Sequence, residues 1–194
     1  MSEIKLTRKG LMTRQKILDT AEDIFGEKGY FETSIAEITL RAGVAQGTYY
    51  NYFSTKKEVF EELIRQLSSS FRHQIKVAME KETSFEAKQR AGYVAFFEWL
   101  TNHRNLYSIV QQSVLVDMNL YRWYYEKIAE GFIKAIEEAI DKKECKPLNP
   151  ETVAYCFMGI GQFIGMRWVF WEKETVPDHV FDEAMEIIFN GINN

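Results

Sequence analysis

The stretch SIAEITLRAGVAQGTYYNYF, from Ser34 to Phe53, decides how the chain is read. Ser34 precedes Ile35-Ala36-Glu37, which predicts an N-cap with a glutamate three residues on, the pattern of a capping box. A short helix follows and ends at Gly43, a residue free to adopt the backbone conformation of a tight turn. A second short helix is predicted over about 45–51. Two short helices meeting at such a glycine form a helix-turn-helix, and Ile35, Ile38 and Val44 are spaced to hold the pair against a preceding helix. The second of the pair opens on Ala45-Gln46-Gly47-Thr48-Tyr49-Tyr50. Its first turn is small and polar, so backbone can approach a groove and N–H groups can meet phosphate. Tyrosines at 49, 50 and 52 add hydroxyl donors on stiff rings, a mixture suited to clamping phosphates and reading base edges. Tyr52 also has a core reading, and Phe53 is assigned to the core outright.

Outward from this motif, 3.6-residue periodicity recurs and strand-type alternation is missing over any useful length. Nine helices and no sheet are expected. The first, about 13–28, places Ile17, Leu18, Ala21, Ile24 and Phe25 on one face and stops at Gly29. Thr55 opens the fourth, with Glu58 completing a second capping box, and the helix continues to about Lys81. The fifth to seventh cover about 84–102, 104–116 and 119–143. Pro147-Leu-Asn-Pro150 is the clearest break, and helices over about 150–173 and 178–191 follow it. An all-α architecture results, divided into an N-terminal helix-turn-helix domain (1–54) and a C-terminal helical domain (55–194).

Composition bounds the function. Apolar residues make up 46% and charged residues 27%, ordinary for a globular chain. No uncharged apolar run nears 18 residues, so no membrane span is expected, and the basic N-terminus lacks a signal-peptide core. Cys145 and Cys156 are the only cysteines, which suits a reducing cytoplasm and offers neither a disulfide framework nor a thiolate metal site. The net charge of −4 hides an asymmetry: residues 1–57 carry 9 basic and 7 acidic side chains, and the rest carry 15 and 21. DNA binding needs a basic face rather than a basic total. No metal and no cofactor are expected, because His73, His103 and His179 sit singly and no glycine-rich phosphate loop follows a strand. An enzyme is not expected either, since Cys156 lies in an apolar helix without an evident base.

The order and spacing of these residues resemble the TetR family of repressors. The matching positions are Ile17-Leu-Asp-Thr-Ala-Glu-Asp-Ile-Phe, Gly29-Tyr30, Thr33-Ser34-Ile35 with Ile38, Ala42-Gly43-Val44, Gly47-Thr48-Tyr49-Tyr50-Asn51-Tyr52-Phe53 and Lys56. The resemblance covers about 45 residues of the DNA-binding part. It implies that Thr48, Tyr50, Tyr52 and Lys56 contact phosphate, joined by Thr33 or Ser34, and that Gln46, Tyr49 and Asn51 fall where bases are read. Gly47 belongs to the same surface. Gln46 is suited to pair with adenine, at about 1–3 kcal/mol of discrimination. Arg14 and the tail before it either reach the minor groove or remain disordered. Lys56 sits at a helix start, where its charge opposes the dipole unless a phosphate joins it.

Beyond residue 84 lie 19 of the 28 aromatic residues. Tyr93, Phe96, Phe97 and Leu100 share a face of the fifth helix. Tyr121, Tyr124, Tyr125, Ile128 and Phe132 share one on the seventh, and Phe157, Ile160, Ile164 and Trp168 one on the eighth. The family resemblance implies a cavity for a small-molecule inducer among these elements, with Arg167 facing an acidic ligand group or else pairing with Asp117 or Glu126. Gln111 and Gln112 are further polar candidates. Core packing is the alternative for most of the rings. A sizeable aromatic ligand or an acyl chain is expected. Gly159, Gly161 and Gly165, with Phe163, Met166, Val169 and Phe170 and with Phe181, Met185, Ile188 and Ile192, suit either a homodimer through the last two helices or packing within one subunit. The whole then reads as a repressor released from a palindromic DNA operator by its ligand, with activation left open.

Overall fold

The computed structural model describes residues 7–192, so residues 1–6, the first part of the tail before Arg14, and residues 193–194 lie outside the described part. Among the described residues nine α-helices run in the order α1 Arg8–Glu32, α2 Ile35–Ala42, α3 Gln46–Tyr50, α4 Lys56–Met79, α5 Phe85–Asn102, α6 Arg104–Val116, α7 Met118–Asp141, α8 Pro150–Gly165 and α9 Asp178–Phe189. No strand occurs among the described residues. The chain forms two compact units: one takes residues up to 67 together with 105–121, the other residues 68–104 and everything from 122 onward. α4 is continuous across the point where the first unit hands over to the second.

In the first unit the predicted face of α1, Ile17, Leu18, Ala21, Ile24 and Phe25, is fully buried with Ile38, Ala42, Val59, Phe60 and Ile64. Burying a side chain of this size contributes about 1.5–3 kcal/mol. α1 starts five residues earlier than its periodicity suggests, because the Thr7 hydroxyl accepts from the Gly10 N–H and caps it. It also does not stop at Gly29. That glycine takes φ +87°, outside helical space, and one more turn follows to Glu32. The break at Gly29 frees the Tyr30 N–H, and α6 supplies its acceptor: Gln112 Oε1 at 2.7 Å. Gln112 Nε2 donates to the Phe25 carbonyl at 3.4 Å, so one amide bridges both sides of the kink. Gln112 is therefore a brace for α1 and not a polar group of a ligand cavity. Both predicted caps form, Ser34 Oγ accepting from Glu37 N and Thr55 Oγ1 from Glu58 N, with Glu58 reaching back to the Ser54 N–H.

The second unit is built around aromatic packing of α5 with α8. Phe85 lies against Phe157 and Phe189, and the buried Tyr93 hydroxyl donates to the Phe157 carbonyl at 2.7 Å. Gly161 and Gly165 of α8 meet Tyr93, Phe96 and Leu100 directly, which explains two of the three glycines in that helix. Asn149 caps α8 with Pro150 in its first turn. α8 then widens into a π-helical stretch, Met166–Trp171. Pro150–Trp171 has a mean hydropathy of 1.2 over its most apolar 18 residues, long and apolar enough by length and composition to cross a membrane, contrary to the sequence expectation. Only 28% of that window is buried.

Candidate nucleic-acid interface

The turn of the helix-turn-helix is set by Gly43, whose φ of +62° places it in the left-handed region. The Gly43 N–H donates to Leu40 O and the Val44 N–H to Thr39 O, closing α2 with the paired bonds of a Schellman motif. The chain re-enters helix at once, and no side chain caps α3. Gln46, Gly47 and Asn51 are exposed, and nothing lies within 4 Å of where a Gly47 side chain would start. Tyr50 is 54% exposed, while Thr48 and Tyr52 are half-buried. The outward surface of α3 is thus small at Gly47, amide-bearing at Gln46 and hydroxyl-bearing at Tyr50.

Four of the expected contact residues are placed otherwise. Tyr49 is fully buried, packs edge-on to Tyr50 and donates its hydroxyl to the Thr55 carbonyl at 3.0 Å, so it anchors α3 on the start of α4 and reads no base. Burial raises its phenol above the ordinary tyrosine range. Thr33 is 3% exposed, and its hydroxyl donates to Gly29 O at 2.7 Å, which closes the kink in α1 and removes it from phosphate. Arg14 pairs with Glu62 at 3.0 Å and lies over the Phe53 ring, tying α1 to α4 rather than extending toward a groove. Lys56 donates to the carbonyls of Tyr30 and Thr33, each at 2.6 Å, above the Tyr30 ring. Its ammonium holds the end of α1, and burial lowers its pKa. Ser34 is exposed, with its hydroxyl already capping α2.

Three further cations of this unit follow the same habit. Lys28 pairs with Glu37, Arg41 forms a two-pronged pair with Glu27 at 2.7 and 2.9 Å, and Lys57 meets Asp117 at 2.6 Å. Asp117 in turn accepts from the N–H groups of Asn119 and Leu120 at the start of α7, and the Lys57 ammonium beside it holds its carboxyl below the usual range. Periodicity gave no signal for this pair, whose members are 60 positions apart in sequence.

Most of the expected ligand-facing residues lie in the second unit and are withdrawn from solvent. Tyr93, Phe97, Leu100, Tyr124 and Phe157 are buried, and Phe96, Tyr125, Ile128, Ile164 and Trp168 are half-buried. The Tyr93 hydroxyl is committed to Phe157. Tyr121 falls in the other unit and is half-buried there. Arg167 is exposed, pairs with Glu172 and lies 5.4 Å from the Trp168 ring centre, so neither Asp117 nor Glu126 is its partner. A residue absent from the expectation, Gln89, is 2% exposed with Nε2 lacking any acceptor, a buried donor one helical turn from both Phe85 and Tyr93. An open cleft of about 310 Å³ lies elsewhere in this unit, between Gln74, Lys81, Glu98 and His103, and none of the expected ligand residues lines it.

Comparison with known proteins agrees with this geometry. The family model for bacterial regulatory proteins of the tetR family matches residues 17–63. The chain is 24% identical over 185 residues to the fatty acid metabolism regulator protein of Bacillus subtilis, covering 92% of this chain and 95% of that one. Among solved structures, the transcriptional regulator FadR from Bacillus subtilis in complex with stearoyl-CoA superposes with a TM-score of 0.82 at 20% identity, over 92% of this chain and 99% of that one. AibR in complex with isovaleryl coenzyme A and operator DNA does so with a TM-score of 0.72 at 16% identity, over 91% and 98%. At such identities the superpositions establish the fold. The family match is confined to the helix-turn-helix part, residues 17–63, where the chain is similar to bacterial transcriptional regulators of the TetR family.

Proposed function

We propose that this chain is a homodimeric repressor that leaves a palindromic operator when an acyl-coenzyme A binds. DNA binding is assigned to residues 1–54, and ligand binding and dimerisation to 55–194. The observation that carries the reading is the outward surface of α3: Gln46, Gly47 and Tyr50 stand clear of the core on a helix whose other large ring, Tyr49, is sunk into it. Gln46 is the base-reading residue, and Thr48, Tyr50, Tyr52 and Ser34 position the backbone. In a two-fold dimer the recognition helices would meet successive major grooves about 34–36 Å apart.

The acyl-CoA class is supported by two relatives whose structures hold stearoyl-CoA and isovaleryl coenzyme A. It is supported also by the aromatic packing of α5, α7 and α8, which suits an acyl chain, and by the unpaired amide of Gln89, which suits a ligand carbonyl. The dimer is supported by apolar side chains that one copy leaves in water: Tyr155, Phe163 and Trp171 along α8 and its extension, and Ile187 on α9, are 46 to 66% exposed. A second copy covering this face also accounts for the apolar run Pro150–Trp171 without a membrane. The protein then works in the cytoplasm, without metal, cofactor or catalysis.

A ligand weakens DNA binding only by as much as it prefers the conformation that fits the operator less well. α4, which contributes to both compact units, is the covalent route for that preference. Titration of a palindromic fragment from the protein's own promoter, with and without stearoyl-CoA and isovaleryl-CoA, tests the proposal. Release of at least tenfold by one thioester is expected, and unchanged affinity with a bound thioester would refute the repressor mechanism.

A further inference from the structure

The ion pairs of the first unit leave its cationic surface in an unexpected place. From residue 7 to residue 57, Arg14, Lys28, Arg41, Lys56 and Lys57 are all engaged with carboxylates or carbonyls of the same chain. Among the described residues of that span, Arg8, Lys9 and Lys16 are the basic side chains that hold no internal partner, and all three are exposed and lie on α1. Lys9, Thr13 and Lys16 follow the i, i+4, i+7 spacing of one helical face. Thr13 reinforces the stripe from within, its hydroxyl donating to the Lys9 carbonyl at 3.0 Å. At the far end, Lys16 Nζ comes within 3.7 Å of where a side chain on Gly43 would start, so its ammonium stands at the turn that launches α3. Asp23, two turns further along the same face, bounds the stripe, and Glu27 beyond it is neutralised by Arg41.

We infer that Lys9 and Lys16 form a phosphate rail on α1 that carries the non-specific part of the chain's affinity for duplex DNA, the part that Arg14 and Lys56 do not supply. This rests on the DNA-binding reading above. An exposed, unpaired ammonium beside the recognition helix has water as its only competitor for phosphate, whereas a paired one must first give up its carboxylate. At 1.5 Å per residue the two lysines are about 10 Å apart along the helix, about three 3.4 Å rises along the axis of a DNA duplex. The lack of any side chain on Gly43 keeps the approach to Lys16 open.

The test compares Lys9→Gln, Lys16→Gln and the double variant with Lys28→Gln, which removes the same charge from an internally paired lysine. Affinities for the promoter palindrome and for a random duplex are measured from 50 to 300 mM salt, with circular dichroism and thermal melting confirming the fold of each variant. Each rail substitution is expected to reduce the slope of log K against log salt by about 0.9 per subunit bound, equally on both duplexes. Lys28→Gln is expected to leave the slope unchanged. A double variant with the wild-type slope, or a Lys28→Gln variant with the same loss as Lys16→Gln, overturns the rail. Failure of the regulator reading looks different: the wild type binds both duplexes equally, and the rail is still upheld if the double variant flattens the slope on the random duplex. Wild type that binds neither duplex overturns both.

Discussion

Alanine in place of Gly161 tests how tightly α8 is seated. In an open helix the change stabilises by about 1 kcal/mol, because alanine carries less backbone entropy into the unfolded state. Here the new methyl carbon would lie 2.9 Å from Tyr93 Cε1 and 3.4 Å from Phe96 Cε1. The Tyr93 ring cannot swing aside cheaply: it is 5% exposed, and its hydroxyl is held by Phe157 O at 2.7 Å. Overpacking of this kind costs about 1–3 kcal/mol, and loosening a buried hydrogen bond adds about 1 kcal/mol. The net expectation for Gly161→Ala is a loss of about 1–3 kcal/mol. At about 2–4 °C per kcal/mol for a chain of this length, Tm falls by roughly 2–12 °C. Gly131→Ala is the matched control: that glycine is exposed on α7 with nothing within 4 Å, so Tm is expected to rise by about 2–4 °C. Thermal and urea unfolding of both variants give the comparison. If Gly161→Ala is as stable as Gly131→Ala, the ring is not pinned and the packing argument for α8 fails. Adding Tyr93→Phe, which releases the ring from Phe157, should shrink the penalty of Gly161→Ala.

Three further predictions rest on other parts of the molecule. Gln112→Leu removes the acceptor for the Tyr30 N–H at the kink of α1, and a loss of about 1–3 kcal/mol in urea unfolding is expected, with Gln112→Glu recovering part of it by restoring the acceptor. Glu22 is half-buried beside Asp19 and Asp23, and burial first and then these carboxylates push its pKa from 4.5 up to about 7. The folded state therefore holds a proton that the unfolded state has released between these values, and stability from this group falls as pH rises from about 4.5 to about 7. Glu22→Gln should be near neutral at pH 4 and stabilising at pH 8, by roughly 1 kcal/mol after discounting for the water that still reaches the carboxyl; equal effects at both pH values would contradict the assignment. Lys143 closes α7 with φ +61° in the position a glycine usually takes, its N–H on Ile140 O and the next N–H on Ala139 O. Lys143→Gly should raise stability by about 1 kcal/mol, measured by chemical denaturation, and a loss would show that the lysine side chain does more than occupy a strained turn.

Local pattern accounts for what was legible in advance. Ser34 and Thr55 each cap a helix through a bond to a neighbour three residues away, and Gly43 needs only its own backbone to make the turn. Such features are complete within a few residues. Tyr49 was misread because α3 has five residues, too few for periodicity to separate a buried ring from the exposed one beside it. Arg14 and Lys56 were misread for another reason. A basic side chain looks free in sequence until the fold brings a carboxylate or a helix end beside it, and theirs come from Glu62 on α4 and from Tyr30 and Thr33 at the end of α1.

By itself, then, the sequence determined the nine helices among the described residues, the caps at Ser34 and Thr55, the helix-turn-helix and its resemblance to the TetR family, since each depends on short-range hydrogen bonds and on a 3.6-residue repeat. The tertiary structure alone decided which cations are already neutralised, which tyrosine faces out, and that α6 belongs with the helix-turn-helix unit through Gln112 and Asp117. Those outcomes are set by contacts between residues 6 to 87 positions apart, and no local pattern encodes which side chain will arrive opposite another.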